Sequence, residues 1–279
     1  MTGPPPNPPT DPCEQHAIRR YRNGQFAADG DDVIREARVE LIVNDDELRL
    51  AMLCLPRELP ELAVGFLRAE GALRRREDLL SAECDESGSA VRVRGRFDPD
   101  AIEAIQRRWT WGTGCGGGGT SASLNPDAYR SVGEGPVVGA ETLLDLTREF
   151  QKRTGLWKRT GGVHACALAD RRGTLLVAED VGRHNAFDKV VGRAFLDGLD
   201  LADKLLLTTG RLSAEMVSKA VAAQLALLVG RGAVTALAID LARRFGITLV
   251  GFARASRFNV YTGFQRVLDD PDGPDAQER

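Results

Sequence analysis

The sequence predicts an α/β protein in which a smaller α+β domain precedes a larger domain built on one sheet. The 279 residues, 43% of them hydrophobic and 28% charged, suffice for one large or two smaller globular domains. From residue 137 onwards, short apolar runs alternate with helical patterns of about 10–15 residues, which indicates βαβ units. We therefore expect a largely parallel sheet, covered by helices on both faces.

The two ends of the chain lack the apolar residues that a packed core requires. Six of the first twelve residues are proline, and residues 269–275 are Asp, Pro and Gly only. We therefore predict disorder over residues 1–30 and 267–279. The α+β domain is then residues 31–136, and the α/β domain is residues 137–266.

The α+β domain shows a hairpin pattern followed by helices. Polar and apolar residues alternate on either side of a turn at Asn44-Asp45-Asp46, and a helical stripe ends at Gly71. The predicted strands are residues 36–43, 48–55 and 90–95, and the predicted helices are residues 58–70 and 98–108.

The second domain alternates helices and strands more regularly. A short turn over residues 170–173 joins its first two strands. The predicted strands are residues 163–169, 174–178, 205–208, 225–229 and 248–252, and the predicted helices are residues 141–152, 184–195, 213–223 and 234–245.

The composition argues against several classes of function. The formal net charge of −3 and the lack of Lys/Arg tracts argue against nucleic-acid binding. No apolar run approaches the roughly 20 residues of a membrane span, and no signal core follows the start. Five widely spaced cysteines indicate free thiols in a reducing compartment, so we expect a cytoplasmic protein.

Two motifs in the chain fail a closer test. The glycines of residues 112–117 match a dinucleotide fingerprint, but a helix precedes them instead of a strand. His164-Ala165-Cys166 lacks the glutamate of a zinc deaminase, and no P-C-x-x-C follows it. Three histidines and scattered cysteines make no other zinc quartet, so we expect neither a metal site nor zinc.

The densest glycine run of the chain, residues 113–120, surrounds a single cysteine, Cys115. Glycine reaches backbone angles closed to other residues and brings main-chain N–H groups close to a ligand. Consecutive N–H groups favour a thiolate, the reactive form of cysteine. The same run is also typical of a flexible linker. Composition alone leaves both interpretations open.

Three polar segments follow predicted strands of the second domain, at residues 179–189, 208–215 and 254–262. In an open α/β sheet, such segments share the edge at which ligands bind. Helix N-termini there offer N–H groups to phosphate, arginines add full charges, and aromatic rings stack on a base. The segments predict a site for a flat, polar, phosphorylated ligand, with Arg183, Arg211, Arg254, Arg257, Phe258 and Tyr261 as its residues.

Each of these polar residues also has a structural interpretation. Ser213 with Glu215 fits plain helix capping, and His184 fits a cap or a surface position. Asp180 and Asp188 fit ion pairs with Arg183 and Lys189. Four arginines that converge on one predicted sheet edge nevertheless favour a binding site.

The motifs together resemble the FdhD family, the sulfur carrier proteins that mature formate dehydrogenase. The resemblance covers nearly all of the chain between its two ends, as several strings in the same order. Two examples are E-D-V-G-R-H-N-A-F-D-K and G-R-L-S-A-E-M. The matching strings are residues 61–71, 114–116, 160–164, 179–189, 210–216 and 257–262.

This resemblance implies a fold, a chemistry and partners. It implies a cytidine-deaminase-like α/β domain after a smaller domain, and a homodimer. A cysteine desulfurase would load sulfur on Cys115 as a persulfide. The sulfur would pass to the molybdenum cofactor, bis-molybdopterin guanine dinucleotide (bis-MGD), which is bound as cargo before it enters formate dehydrogenase. The implied cofactor-binding residues are Arg183, His184, Arg211, Phe258, Asn259, Val260, Tyr261, Thr262 and Gly263.

One position departs from the loop pattern of the family. The family loop usually reads C-G-x-C-G, and Gly118 stands here in place of the second cysteine. Cys115 takes the first position, so a persulfide can still form, but the loop holds no second thiol as a relay. A second hypothesis is therefore a chaperone that binds the molybdenum cofactor without sulfur transfer. A nucleobase deaminase is a third, and its zinc ligands are missing.

Overall fold

Two β-sheets carry most of the fold. The structure is a computed structural model that describes residues 11–107 and 130–269. Its helices are α1 (Leu59–Ala69), α2 (Pro99–Arg107), α3 (Ala140–Arg153), α4 (Gly155–Thr160), α5 (Arg183–Asp197), α6 (Ala214–Ala223) and α7 (Ala236–Phe245). Its strands are β1 (Cys13–Arg22), β2 (Gln25–Ile34), β3 (Ala37–Val43), β4 (Leu48–Cys54), β5 (Leu79–Cys84), β6 (Ala90–Gly95), β7 (Val138–Gly139), β8 (His164–Asp170), β9 (Gly173–Asp180), β10 (Leu205–Thr208), β11 (Leu227–Gly230), β12 (Thr248–Arg254), β13 (Arg257–Thr262) and β14 (Val267–Leu268).

The first sheet has four strands in the order β4-β3-β6-β5. The predicted hairpin is confirmed as β3 and β4, and the predicted helix over residues 58–70 is confirmed as α1. The apolar stripe of α1, with Leu62 and Leu67, packs against Leu41 and Val91 of the sheet. Sequence reasoning missed β5, whose residues alternate only weakly between exposed and half-buried positions.

The second sheet has six strands in the order β13-β12-β11-β10-β8-β9. Only the β10–β11 and β11–β12 pairs are parallel, and the other three pairs are antiparallel. The expectation of a largely parallel sheet is therefore wrong. Short turns join β8 to β9 and β12 to β13, and a tight turn can connect only antiparallel neighbours.

Helices cover both faces of the six-stranded sheet, as the alternating pattern predicts. On one face, Leu143 and Phe150 of α3 pack against Leu207 and Val229. On the other face, a core cluster joins residues of α5, α6 and α7 to the sheet, among them Phe187, Val217, Leu206 and Leu228. The α/β fold class with a preceding α+β domain is confirmed.

Helices α1 and α5 join the two halves at a close crossing. A Cβ atom on Gly65 of α1 would lie 1.9 Å from the backbone oxygen of Asp188 in α5. A Cβ atom on Gly192 of α5 would lie 1.9 Å from the backbone oxygen of Glu61 in α1. Because only glycine permits this approach, the two backbones touch directly at the crossing.

The expected disorder over residues 1–30 is wrong for the described part of that segment. Residues 13–34 form the antiparallel hairpin β1–β2, which turns at Asn23-Gly24. Both turn residues have positive φ, and Asn-Gly is the strongest short hairpin signal. Most hairpin residues are exposed, so their strands show no apolar alternation that sequence reasoning could detect.

The segments that flank the second domain also differ from expectation. Val267 and Leu268, placed in the disordered tail, pair with β7 in a parallel arrangement. Before the boundary proposed at residue 137, Val132 already lies in the core formed with α7. Sequence reasoning also missed α4, a helix of only 6 residues. Within residues 11–107 and 130–269, no helix combines the length and the apolar composition of a membrane-spanning segment.

Candidate functional site

One edge of the six-stranded sheet, where the ends of several strands lie side by side, holds six of the predicted site residues: Arg183, His184, Arg211, Arg254, Arg257 and Phe258. The strand register brings the end of β9 beside the start of β8, and places the ends of β10, β11 and β12 beside the start of β13. Helices α5 and α6 also begin here. We call this the strand-end edge, and its strand-terminal residues are His164, Asp180, Thr208, Gly230, Arg254 and Arg257.

Arg183, His184 and Glu215 form a charged cluster where α5 and α6 begin. Arg183 Nη2 lies 3.5 Å and His184 Nε2 lies 3.0 Å from Oε2 of Glu215. The three side chains are largely buried, and burial lowers the pKa of His184 although Glu215 raises it. The Glu215 carboxylate thus already offsets charge that Arg183 would otherwise offer to an anion.

His164 and Arg211 lie beside this cluster. Nδ1 of His164 is 3.3 Å from Oγ1 of Thr209, which in turn accepts a hydrogen bond from the backbone N–H of Ala165 at 3.0 Å. Burial lowers the pKa of His164, and the nearby charges of Arg183 and Arg211 lower it further. The structure therefore brings the predicted residues Arg183, His184 and Arg211 together.

Several polar residues of the segment 179–189 hold the fold together, among them Asp180, Asn185 and Lys189. Lys189 Nζ lies 2.7 Å from Asp180 Oδ2, and both side chains are fully buried. Asp180 Oδ2 also accepts from the backbone N–H of Leu55 at 3.1 Å, and Lys189 Nζ donates to the Leu55 carbonyl at 3.1 Å. Asn185 donates to Asp180 Oδ1 at 2.9 Å. These groups clamp the end of β4 onto α5.

A second buried ion pair joins Asp188 of α5 to Lys219 of α6. Lys219 Nζ donates to both carboxylate oxygens of Asp188, at 2.7 and 2.8 Å. Burial raises the pKa of Asp188 to about 6, although Lys219 lowers it. Asp180 and Asp188 therefore form ion pairs, as the structural interpretation expects. Their partners are Lys189 and Lys219, and not Arg183 and Lys189.

Two residues that sequence reasoning did not single out also lie at the strand-end edge. Arg231 directly follows β11, and its guanidinium lies 4.7 Å over the ring of Trp157 from α4. Arg231 follows a predicted strand in the same way as Arg211 and Arg254, so the same rule could have found it. Nothing in the sequence signals Trp157, because only the fold brings α4 beside β11.

The segment from Phe258 to Gly263 forms an edge strand and a turn instead of a loop. Phe258 lies near the strand-end edge, Asn259 is exposed, and Val260 and Tyr261 are half-buried. Oγ1 of Thr262 donates to the carbonyl of Ile247 at 2.8 Å. Thr262 and Gly263 therefore lie at the opposite edge of the sheet, where β12 begins, and their contact with a cofactor stays a prediction.

Cys115 and Gly118 lie outside the described residues. The other four cysteines are free. Cys13, Cys54 and Cys166 are buried, and burial raises the pKa of Cys54 and of Cys166 to about 12. Cys84 is exposed, and its pKa is also raised, chiefly by desolvation. A thiol with a raised pKa forms little thiolate at neutral pH.

Other features of the described residues lie apart from the strand-end edge. A cavity of about 290 Å³ lies where α5 and α6 end, is lined by Arg68, Phe195 and Leu201 among others, and contains none of the predicted site residues. Over residues 11–107 and 130–269, no group of three or more His, Cys, Asp or Glu side chains could hold a metal ion.

Comparison with known proteins gives consistent matches over most of the chain. The model of the FdhD/NarQ family matches residues 34–268. The sulfur carrier protein FdhD of Wolinella succinogenes is 38% identical over 252 residues, which covers 90% of this chain and 87% of that protein. The protein of the same name from Bacillus subtilis is 33% identical over 257 residues, which covers 90% of this chain and 96% of that protein.

A solved structure matches the fold. The crystal structure of a protein from Desulfotalea psychrophila, assigned as a formate dehydrogenase accessory protein, superposes with a TM-score of 0.74. The match covers 92% of this chain and 100% of that chain at 23% sequence identity. At this identity, the likeness shows that the two proteins share a fold.

Proposed function

Because the chain belongs to the FdhD/NarQ family, we propose that it is a sulfur carrier that serves the maturation of formate dehydrogenase. In this proposal, a cysteine desulfurase loads a persulfide on Cys115, and the sulfur then passes to bis-MGD. The family membership carries the proposal, since relatives named sulfur carrier protein match about nine-tenths of the chain.

The chemistry of the cysteines supports Cys115 as the sulfur-bearing residue. In the loading step, the Cys115 thiolate attacks the outer sulfur of the desulfurase persulfide. A new S–S bond forms at Cys115, the S–S bond of the donor breaks, and the donor cysteine leaves as a thiolate. The buried thiols of Cys54 and Cys166, whose pKa values are raised, are poor candidates for this attack.

The strand-end edge supports a role in holding the cofactor as a substrate. Binding bis-MGD by its guanine nucleotide ends would keep the reacting metal free and would position it for transfer. Arg183, His184 and Arg211 are the residues we assign to this role at the edge, together with Phe258. Asn259 to Gly263 would extend the contact along β13. We further propose a homodimer that works in the cytoplasm.

Intact mass after incubation with a cysteine desulfurase and cysteine tests the sulfur carrier function. The protein should gain the mass of one sulfur, and Cys115→Ala should lose this adduct. Cys13→Ala, Cys54→Ala, Cys84→Ala and Cys166→Ala are the matched controls and should keep it. An adduct that survives in Cys115→Ala would refute the assignment.

Gly118 favours one alternative, a chaperone that binds the cofactor without sulfur transfer. If a single thiol suffices, Gly118→Cys should leave the activation of formate dehydrogenase unchanged or lower it, because a second thiol could attack the Cys115 persulfide and expel sulfide. The measurement is formate dehydrogenase activity in cells that lack their own carrier and receive either version. A several-fold gain with Gly118→Cys would show that the natural protein is impaired in transfer, or performs another task.

A further inference from the structure

Three arginines meet at the part of the strand-end edge that faces α3 and α4. Arg231 follows β11, and Arg254 and Arg257 are register partners at the turn between β12 and β13. The guanidinium of Arg254 donates to the backbone carbonyl of Arg231. It also donates to the backbone carbonyl of Ala253, the residue before Arg254, at 3.0 Å. The fold thus ties the three residues to one small area.

No carboxylate balances these charges within residues 11–107 and 130–269. Arg231, Arg254 and Arg257 form no ion pair there, whereas Arg183 at the same edge is paired with Glu215. Burial lowers the pKa of Arg254, and repulsion from Arg231 and Arg257 lowers it further. Like charges held together without a counter-ion destabilise the free protein, and a bound anion would relieve that repulsion.

Trp157 holds Arg231 in place within this cluster. The carboxylate of Glu179 accepts hydrogen bonds from the backbone N–H groups of Leu156 and Trp157, at 3.0 and 2.9 Å. This contact fixes the start of α4, and with it the ring on which the Arg231 guanidinium rests. A cation–π contact of this kind reduces the freedom of the arginine before any ligand arrives.

We infer that Arg231, Arg254 and Arg257 form a subsite for the diphosphate of a nucleotide, with Trp157 as the positioning residue of Arg231. The inference rests on the proposed function, in which nucleotide ends of the cofactor bind at the strand-end edge. Three guanidinium groups match the charge of a diphosphate better than that of a single phosphate. At the start of α5, by contrast, Glu215 already occupies Arg183 and His184.

Ligand titration of the full chain tests this subsite. Affinities for GDP, inorganic pyrophosphate and guanosine are measured by thermal shift and calorimetry. Arg231→Gln and Arg257→Gln should each weaken GDP and pyrophosphate about tenfold or more, since each removes a charge-assisted hydrogen bond. Arg172→Gln is the matched control, because it removes the same charge from the exposed β8–β9 turn at the opposite edge.

Fluorescence of Trp157 gives a second readout that does not depend on stability. With Trp109→Phe and Trp111→Phe, Trp157 is the only tryptophan left in the chain. Pyrophosphate and GDP should change its emission as Arg231 turns to the phosphates, and guanosine should not. Trp157→Leu should weaken pyrophosphate binding less than Arg231→Gln does, since it loosens Arg231 without removing its charge.

The outcomes separate this inference from the proposed function. If Arg211→Ala abolishes GDP binding while Arg231→Gln and Arg257→Gln bind normally, the subsite is refuted and nucleotide binding stands. If the natural protein binds neither pyrophosphate nor GDP, the subsite is refuted as well. The persulfide on Cys115 is then still tested by its own mass measurement. Weakening confined to Arg231→Gln and Arg257→Gln supports the subsite.

Discussion

Two groups of charged residues in this protein differ in how their charges are balanced. Around helix α5, Asp180–Lys189 and Asp188–Lys219 are buried ion pairs whose members contact each other directly. At the strand-end edge, Arg231, Arg254 and Arg257 have no carboxylate partner among the described residues. The first group is complete within the fold, and in the proposed subsite a bound anion completes the second.

The contrast shows that buried charge and functional charge need not coincide. Breaking a buried pair lowers the free energy of unfolding strongly, because removing one partner leaves the other charge without solvent or counter-ion. Removing an exposed cation changes the free energy of unfolding little, and its effect is seen in the affinity for a ligand. Stability and ligand binding should therefore respond to different substitutions.

The largest effect on stability is expected from Lys219→Met, which leaves the Asp188 carboxylate buried without its partner. The free energy of unfolding should fall by about 3–5 kcal/mol in urea unfolding. Arg107→Met is the control, since Arg107 belongs to an exposed pair with Glu103 and should cost less than about 1 kcal/mol. A loss below about 1 kcal/mol with Lys219→Met would show that the pair is not structural.

A smaller loss is expected from Gly65→Ala at the α1–α5 crossing. The added methyl would lie 1.9 Å from the backbone oxygen of Asp188, so the helices must move apart. Overpacking of this kind costs about 1–3 kcal/mol. Gly155→Ala is the matched control, because a Cβ atom there meets nothing within 4 Å. Equal unfolding midpoints for the two variants would contradict the close crossing.

A pH-dependent effect of about 1 kcal/mol is expected at Asp188. In the folded protein, its raised pKa of about 6 lets it take up a proton between pH 7 and pH 5, which the unfolded chain does only near its ordinary value of 3.8. This uptake stabilises the folded state at low pH, and the gain is lost as the pH rises through 6. The destabilisation caused by Asp188→Asn should therefore be about 1 kcal/mol larger at pH 5 than at pH 7.

The control for this measurement is Asp203→Asn. The Lys204 side chain lowers the pKa of Asp203, so this carboxylate stays ionised from pH 5 to pH 7. The effect of Asp203→Asn should be constant over that range. A constant effect of Asp188→Asn would mean that the pKa of Asp188 is not raised in the folded protein.

The smallest effect on stability is expected from Arg257→Gln at the strand-end edge. This exposed arginine contributes repulsion to Arg254, so its removal should change the free energy of unfolding by no more than about 0.5 kcal/mol. Chemical unfolding without ligand measures this value. A loss above about 2 kcal/mol would place Arg257 with the structural charges and would remove the contrast between the two groups.

The helices and strands with a strong periodic pattern could be predicted from the sequence. The hairpin β3–β4 follows from alternation, helix α1 from an apolar stripe, and strand β10 from a short continuous apolar run that is buried throughout. The hairpin β1–β2 could not be found in this way, because most of its side chains are exposed. Its Asn23-Gly24 turn was the available signal.

The site was only partly predictable. The rule that strand ends collect ligand-binding residues found Arg183, Arg211, Arg254 and Arg257. The same rule treated residues 254–262 as one loop, whereas β13 crosses the sheet and carries Thr262 to the opposite edge. Local pattern does not reveal such a return strand, since its pairing partner is decided by the sheet.

The sequence by itself determined the α/β class, the family and the presence of a cysteine within a glycine run. These properties depend on the order of residue types, which periodicity and motifs read directly. Only the tertiary structure decided which charges are structural and which are free. Whether Asp188 pairs with Lys219, and whether Arg231 rests on Trp157, depends on helices and strands that are distant in sequence and are brought into contact by packing.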